Sequence, residues 1–353
     1  MRRFAPLRSG LSLSLMLVLA QPPGAARAEP KGPETVDGRW LVDFRPDGYL
    51  ELTLKRRPTS GSDNWTSSED FTVSDFDGLH RPTSAADSPA TFRMVRDAGT
   101  ITFEGQLNDS GGAGRFTFES NPDYNAALVA MGYATPRPDE AFALAVHDVS
   151  RTFMRELASL GYAKLPLDDL ISMRIHGATP QFIRDLKALG YDHPAADDLV
   201  SMRIHGATPE FIRSMKALGY DHLSAEAVVS MRIHGVTPEF VRAMKPLGSG
   251  EPLDADDLVS LRIHGATPEY VKELESLGYR DLTADDVVSM RIHGVTTDFV
   301  RDIQALGYKN VSADDLVNMR IHGVSADYVK RMKARNSDVS IDEIVDMKIH
   351  GRG

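Results

Sequence analysis

The last two-thirds of this 353-residue chain consists of a tandem repeat of about 29 residues. The string Met-Arg-Ile-His-Gly occurs at 173–177, 202–206, 231–235, 290–294 and 319–323, with near copies at 261–265 and 347–351. Successive histidines of these strings are 28, 29 or 30 residues apart. A unit this short cannot bury an apolar face alone, so the units must stack on one another.

Each unit carries the signals of two short helices. In one unit Ser224 is an expected N-cap, and Gly235 is expected to end that helix in the left-handed conformation. Thr237 and Pro238 then open a second helix. Neither helix reaches the about 12–15 residues at which an isolated helix becomes stable. The repeat therefore predicts an α-solenoid whose stability comes from stacking.

The apolar positions predict the buried face of each helix, because they recur at helical spacing. The expected core positions are Val228, Val229, Met231 and Ile233 in the first helix and Phe240, Val241, Met244 and Leu247 in the second.

The repeat phase extends upstream to Asn121, so we expect about eight units over residues 121–353. Residues 245–252 add one residue and place Pro246 inside the second helix, which predicts a bend or loose joint. In the last full unit Asn336 replaces the helix-ending glycine, and asparagine tolerates the same left-handed conformation.

Residues 29–120 have the alternating pattern of β-strands. Segments 40–44 and 49–54 flank a turn signal, as do 91–95 and 100–104, while 115–119 and 71–73 are further candidates. We expect five to seven antiparallel strands curled into a small sandwich or open barrel, with 83–89 as a loop. The predicted class is α+β: this small antiparallel β domain, packed directly on the first unit of the α-solenoid.

The first 28 residues have the order of a secretory signal peptide. Arg2, Arg3 and Arg8 precede the apolar run 11–20, and Ala26-Arg27-Ala28 is a small-x-small cleavage site before Glu29. Ten apolar residues are too few for a membrane anchor, which needs about 20. The sequence therefore predicts a periplasmic or secreted protein with no transmembrane segment after cleavage.

Charge and cysteine content exclude several classes of protein. Cleavage would remove four arginines and no acid, which changes the formal net charge from −10 to −14. An acidic chain without a basic cluster is a poor candidate for binding nucleic acid. The absence of cysteine excludes disulfides, thiolate metal sites and a cysteine nucleophile.

Three side chains recur in the units and are candidates for function. The histidines are His176, His205, His234, His264, His293, His322 and His350. Stacked helices lie about 10 Å apart, so one histidine per unit cannot share a metal ion whose ligands sit about 2 Å away. We expect these histidines to cap helix C-termini, and we expect no metal or other cofactor.

The recurrent arginines are Arg174, Arg203, Arg232, Arg262, Arg291 and Arg320. They can bind carboxylates or phosphates of a partner, but we favour pairing with acids of the neighbouring unit. A third series comprises Tyr133, Tyr162, Tyr191, Tyr220, Tyr279 and Tyr308. These tyrosines are expected to pack after each helix-ending glycine, with an aromatic strip for glycan or peptide as the alternative.

The sequence contains none of three common catalytic motifs, which are Gly-x-Ser-x-Gly, a Gly-rich phosphate loop and His-Glu-x-x-His. Trp40, Trp65, Tyr49 and His80 can line a pocket of the β domain, although Trp40 and Tyr49 suit the core better. We therefore expect no catalytic residue and a protein that is not an enzyme.

The units resemble repeats of exported bacterial proteins of undefined function. The resemblance rests on the motifs Ala-Asp-Asp-Leu-Val-Ser-Met-Arg-Ile-His-Gly and Thr-Pro-Glu-Phe-Val-Arg. Similar repeats are attached to the extracytoplasmic part of membrane zinc metallopeptidases of the β-lactam-sensor type. Segments 96–100 and 103–105 resemble the region that precedes those repeats. The peptidase half has no counterpart here, so the resemblance implies no enzymatic activity.

Three functions remain open. The favoured hypothesis is a non-enzymatic sensing or interaction module that presents the repeat surface to a protein partner in the cell envelope. The second is an envelope glycan-binding protein or hydrolase with its site in the β domain. The third is a structural spacer or scaffold.

Overall fold

The computed structural model describes residues 36–56, 65–245, 247 and 253–351. In these ranges the chain forms six strands followed by 16 helices. The strands are β1 (Val36–Phe44), β2 (Tyr49–Arg56), β3 (Trp65–Thr72), β4 (Ser88–Arg96), β5 (Gly99–Leu107) and β6 (Gly111–Ser120). The α+β class is confirmed, while the predicted signal peptide lies outside the described residues.

The six strands form one antiparallel sheet in the order β3-β2-β1-β6-β5-β4. Strands β1, β2 and β3 form one half of the sheet, and strands β4, β5 and β6 form the other. Strand β1 joins the halves by pairing with β6, which places Trp40 opposite Gly114. Within the described residues β3 and β4 are the two edges. The expected sandwich is therefore absent from the described residues: the strands form one open sheet, and α2 packs on β1, β5 and β6. The sheet is curled, since Trp40 of β1 contacts Phe92 of β4, three strands away, with 5.2 Å between ring centroids.

The helices alternate between two types along the chain. The first-type helices are α2 (Pro138–Val146), α4 (Leu167–Ile175), α6 (Ala196–Ile204), α8 (Ala225–Ile233), α10 (Ala255–Ile263), α12 (Ala284–Ile292), α14 (Ala313–Ile321) and α16 (Ile341–Ile349). The second-type helices are α1 (Pro122–Ala130), α3 (Arg151–Ser159), α5 (Pro180–Ala188), α7 (Pro209–Lys216), α9 (Pro238–Met244), α11 (Pro268–Ser276), α13 (Thr297–Ala305) and α15 (Ala326–Arg335). Helices of each type stack on the next of their own type, as an α-solenoid requires.

The predicted helix ends are confirmed with one exception. Thr237 accepts a hydrogen bond from the Phe240 N–H, and Gly235 has a φ of +70°. Asn336 was expected in the same left-handed conformation, and that prediction is wrong: its φ and ψ are −143° and 109°, which is extended backbone. Helix α15 therefore ends with extended backbone at Asn336, whose N–H donates a hydrogen bond to the Met332 carbonyl.

Six of the eight predicted core positions are buried, and a seventh, Val229, is half-buried against the core. Val228 and Met231 are fully buried, as is Met244 of the second helix. Ile233 was expected beside them, but its side chain is 54% exposed. The prediction counted Ile233 as core because it is apolar, although it lies two residues, or about 200° around the helix, from Met231.

The sheet packs directly on the first helices of the solenoid. The ring of Phe142 in α2 stacks on Phe116 of β6 with 5.3 Å between ring centroids. Asp97, in the β4–β5 turn, accepts hydrogen bonds from the side chain and the backbone N–H of Arg151. The predicted contact between the β domain and the first unit is therefore present.

The expected joint at 245–252 falls mainly on residues outside the described ranges. On either side of it α8 and α10 stay in contact, and the Tyr220 hydroxyl donates to the Leu253 carbonyl at 2.7 Å. The stacking of units therefore continues past the inserted residue. Within the described part of the chain, no helix has the length and apolar character needed to cross a membrane.

Candidate interaction surface

One isoleucine in each of seven units is about half exposed. These residues are Ile175, Ile204, Ile233, Ile263, Ile292, Ile321 and Ile349, with exposed fractions between 48% and 56%. They make up most of the large apolar side chains that are exposed within the described residues. In α2 the equivalent residue, Val146, is buried. The repeats thus bury nearly all their apolar side chains but leave this one in solvent.

The position of the isoleucine in its helix accounts for its exposure. Each is the last residue of a first-type helix, two residues after a Met or Leu. That Met or Leu is fully buried in six of the seven units, and Met347 of the last unit is partly buried. Another exposed position of the unit varies, since it holds Gln181, Glu210 and Asp298 in three of the units. Since the exposed isoleucine position does not vary, core packing alone does not explain it.

The repeated arginines lie over aromatic rings of the preceding unit. The pairs are Arg174 over Phe153, Arg203 over Phe182, Arg232 over Phe211, Arg262 over Phe240, Arg291 over Tyr270 and Arg320 over Phe299, at 4.8–5.2 Å from the ring centroid. In the last unit Lys348 takes the same place over Tyr328 at 4.8 Å. A cation over an aromatic face is attractive at such distances, so this contact joins consecutive units.

The predicted pairing of these arginines with acids of the neighbouring unit is wrong for five of the six. Among the described residues only Arg174 has such a partner, the carboxylate of Asp148 at 2.8 Å. The internal role that we favoured for the arginines therefore holds, but its physical basis is an aromatic ring instead of a carboxylate.

Each arginine also reaches the end of the preceding first-type helix. The Nε of Arg203 donates to the His176 carbonyl at 3.4 Å, and that of Arg174 to the His147 carbonyl at 3.1 Å. A Cβ on Gly177 would lie 3.2 Å from the Arg203 guanidinium. The arginine of one unit thus sits beside the Ile-His-Gly of the unit before it. These side chains form one line along the repeats, which we call the Ile–Arg–His stripe. It consists of the seven exposed isoleucines, the six recurrent arginines and the seven recurrent histidines listed above.

The histidines of the stripe are exposed C-cap residues. In two units the ring Nδ1 lies within hydrogen-bond distance of a carbonyl one turn back, at 2.8 Å for His293 and 3.0 Å for His350. The described residues contain no group of three or more side chains able to hold a metal ion. These contacts support the expected capping role.

His147 occupies the equivalent place in the first unit, and its environment is different. Its side chain is 10% exposed and lies 3.7 Å from Glu69 of the sheet. Burial lowers the pKa of His147, and the Arg174 charge lowers it further, against the opposing effect of Glu69. The sheet therefore covers the start of the stripe, which is accessible from Ile175 onward.

The tyrosine series has a packing role. The hydroxyls of Tyr162, Tyr279 and Tyr308 donate to carbonyls of the following unit at 2.6–2.7 Å. Burial raises the pKa of each of these tyrosines. With their polar ends engaged between units, these residues support the packing interpretation over an open aromatic strip.

The four β-domain candidates do not form one site. Trp40 is buried edge-on against Phe92, as expected, whereas Tyr49 is 50% exposed, so its predicted place in the core is wrong. His80 is exposed and does not line the cavity that Trp65 lines. That cavity measures about 560 Å³ and lies where β1 begins and β2 ends.

Searches against protein-family models, curated proteins and solved structures find no match to this chain. The resemblance to repeats attached to sensor-type metallopeptidases therefore stays a prediction.

Proposed function

We propose that the protein is an exported, non-enzymatic interaction module that binds an elongated protein segment along the Ile–Arg–His stripe. The observation that carries the proposal is the row of seven half-exposed isoleucines at one position of the repeat. An exposed apolar side chain that recurs at one position of a solenoid gives a regular row of contacts along its surface, which suits an elongated protein partner. The signal-peptide pattern supports a partner in the cell envelope.

The arginines make the stripe suitable for a protein partner. Each guanidinium is held over a ring of the preceding unit, so it loses little side-chain freedom when it pairs with a carboxylate. Arginine and apolar anchors are also the residues that contribute most to protein–protein affinity. A partner segment that alternates apolar and acidic side chains fits this pattern.

Site-specific photocrosslinking in envelope extract tests the proposal. A photoreactive residue replaces Ile204, Ile233 or Ile263 in separate variants, and matched controls carry it at Arg213 and Arg242, which are exposed on second-type helices. We expect the same partner to be crosslinked from all three stripe positions and from neither control. Equal crosslinking from stripe and control positions, or none from either, contradicts the proposal.

A combined Ile204→Ala, Ile233→Ala and Ile263→Ala variant separates binding from folding. Because these side chains are half exposed, the variant should keep the helical circular dichroism and melting temperature of the parent. It should lose the crosslinked partner. If it unfolds, the single-site crosslinks still decide the question.

A further inference from the structure

One face of the sheet is uncovered along its central strand, β1. Arg39, Leu41 and Asp43 are exposed on this face, while Trp40 and Val42 are buried on the opposite face, against which α2 packs. Leu41 is 42% exposed although β1 has a paired strand on each side. An apolar side chain of a central strand stays in solvent only where no other element lies over it. Within the described residues this face is therefore open to a partner.

Strand pairing sets the exposed side chains around Leu41 in three rows across the sheet. The row that contains Leu41 is uncharged, and it separates a row of cations from a row of acids. The uncharged row is Thr53, Leu41 and Ala113, the cation row is Lys55, Arg39 and Arg115, and the acid row is Asp70, Glu51 and Asp43. Like charges directly opposite each other destabilise a sheet, so both charged rows are unfavourable in an isolated chain.

The two β1 charges nearest the leucine, Arg39 on one side and Asp43 on the other, have no ion-pair partner among the described residues. The rest of the acid row is neutralised within the chain, because Arg45 pairs with Glu51 at 2.6 Å and with Asp70 at 2.9 Å. Asp43 lies outside that cluster. An opposite charge supplied by a partner is therefore favourable at Arg39 and at Asp43.

A second copy of this chain supplies both opposite charges at once. A two-fold axis that crosses the strands at Leu41 stacks two such faces with their β1 strands antiparallel. Arg39 then faces Asp43 of the second copy at two equivalent places, and Lys55 faces Glu51 of the second copy. An axis parallel to β1 would instead place Arg39 on Arg39, which is repulsive. Stacked sheets lie about 10 Å apart, and an arginine and an aspartate side chain together span that distance.

We propose that two copies of this chain dimerise through this face, with Leu41 on the two-fold axis and an Arg39–Asp43 ion pair on each side of it. Unpaired opposite charges at equal distances from an exposed leucine carry the proposal. Because the sheet curls toward its core, the face is convex, and contact is confined to β1 and its neighbours. The interface is therefore small, and we expect a reversible dimer that weakens as salt is added. The dimer does not depend on the Ile–Arg–His stripe of the solenoid.

Analytical ultracentrifugation of the purified protein over a range of concentrations measures the dimer. Arg39→Asp places a like charge opposite Asp43 of the second copy in both ion pairs, and Asp43→Arg does the same opposite Arg39. Each variant should therefore weaken dimerisation by at least about tenfold. The matched control is Arg93→Asp, at an exposed arginine of the edge strand β4, which should dimerise as the parent does.

Charge exchange between the two positions provides the decisive comparison. In a mixture of Arg39→Asp chains and Asp43→Arg chains, every facing pair again joins opposite charges. The mixture should therefore form heterodimers, although neither variant dimerises well alone. The double variant Arg39→Asp with Asp43→Arg should also recover the dimer. A variant that merely disturbed the sheet would show neither recovery.

Crosslinking tests the position of the two-fold axis. The chain has no cysteine, so Leu41→Cys introduces a single thiol, which a bismaleimide that spans about 10 Å should join to its copy. Thr117→Cys is the control, because Thr117 is exposed on the same face and lies opposite Asp37, four residues along β1 from Leu41. In the proposed dimer two such thiols lie more than about 25 Å apart, so we expect no crosslink.

The proposal is overturned by a protein that stays monomeric at every concentration, by a dimer that both charge reversals leave intact, or by a mixture of the two variants that forms no heterodimer. Equal crosslinking at Thr117 and Leu41 overturns it as well. The substituted side chains are exposed, so the variants should fold, and thermal melting checks that they do. If a charge variant unfolds, the comparison of Leu41→Cys with Thr117→Cys gives the answer.

Discussion

The guanidinium of Arg262 lies 4.8 Å from the centroid of the Phe240 ring, one unit earlier in the chain. These residues flank the segment in which the repeat gains one residue, yet their contact matches those at the regular junctions. The relationship shows that the units are joined by a side-chain contact that tolerates a change in connecting length. It also holds the arginine in place beside the exposed isoleucines.

Two residues of α8 provide the sharpest test of the buried and exposed faces. Met231→Ala should reduce the free energy of unfolding by about 2–5 kcal/mol, because it leaves a cavity in a fully buried site. Ile233→Ala should change it by less than about 0.5 kcal/mol, since the side chain is half exposed. Urea unfolding followed by circular dichroism measures both values. Similar losses in the two variants would mean that Ile233 is a core residue.

The contact between arginine and ring can be measured with one substitution. Arg232→Gln removes the cation from the Phe211 ring, and we expect a loss of about 0.5–2 kcal/mol in the free energy of unfolding. Arg213→Gln is the matched control, because that arginine is exposed and pairs only with Glu210 in its own helix. The inference that the ring contact joins the units fails if the two variants lose the same stability.

The tyrosine series should contribute through its hydroxyl groups. Tyr279→Phe removes the hydrogen bond to the Val311 carbonyl and should cost about 0.5–1.5 kcal/mol of unfolding free energy. Tyr49→Phe, at a half-exposed tyrosine of the sheet, should cost almost nothing. Thermal melting of the two variants makes the comparison, and an unchanged melting temperature in Tyr279→Phe would argue against a packing role.

The contact between Asp97 and Arg151 predicts a dependence of stability on pH. Burial of the Asp97 carboxyl would raise its pKa, but hydrogen bonds from Arg151 outweigh burial and lower it below the ordinary value. A lowered carboxyl pKa in the folded state stabilises the protein above the unfolded-state pKa of about 3.9. That stability is lost as the pH falls through the lowered pKa.

Asp97→Asn should therefore cost about 1–3 kcal/mol at pH 7 and less as the pH falls toward 3. Urea unfolding at both pH values measures this difference. Asp43→Asn, at an exposed position of β1, is the control and should follow the parent at both. A cost in Asp97→Asn that does not change with pH would show that the charge of Asp97 is not what joins the sheet to α3.

The repeat sequence was sufficient to predict the solenoid, its helix pairs and most of their ends. Those features depend on residues close in sequence, such as Thr237 capping the N–H three residues later and Gly235 accepting a positive φ. The strands of the β domain were predictable from alternation, but their order was not. Pairing of β1 with β6 joins segments that are distant in sequence, and a local pattern carries no information about it.

The candidate surface depended on tertiary structure. Helical spacing separates Ile233 from Met231 by about 200°, but the packing of neighbouring units decides which of the two sides of the helix is buried. The same holds for the arginines, whose aromatic partners lie in the previous unit. It holds equally for Arg39, Lys55 and Arg115, which strand pairing brings together. Sequence alone determined what repeats and how each short helix begins and ends, because those are local interactions. Which side chains meet and which stay in solvent was decided by stacking and strand register, because those contacts join residues far apart in the chain.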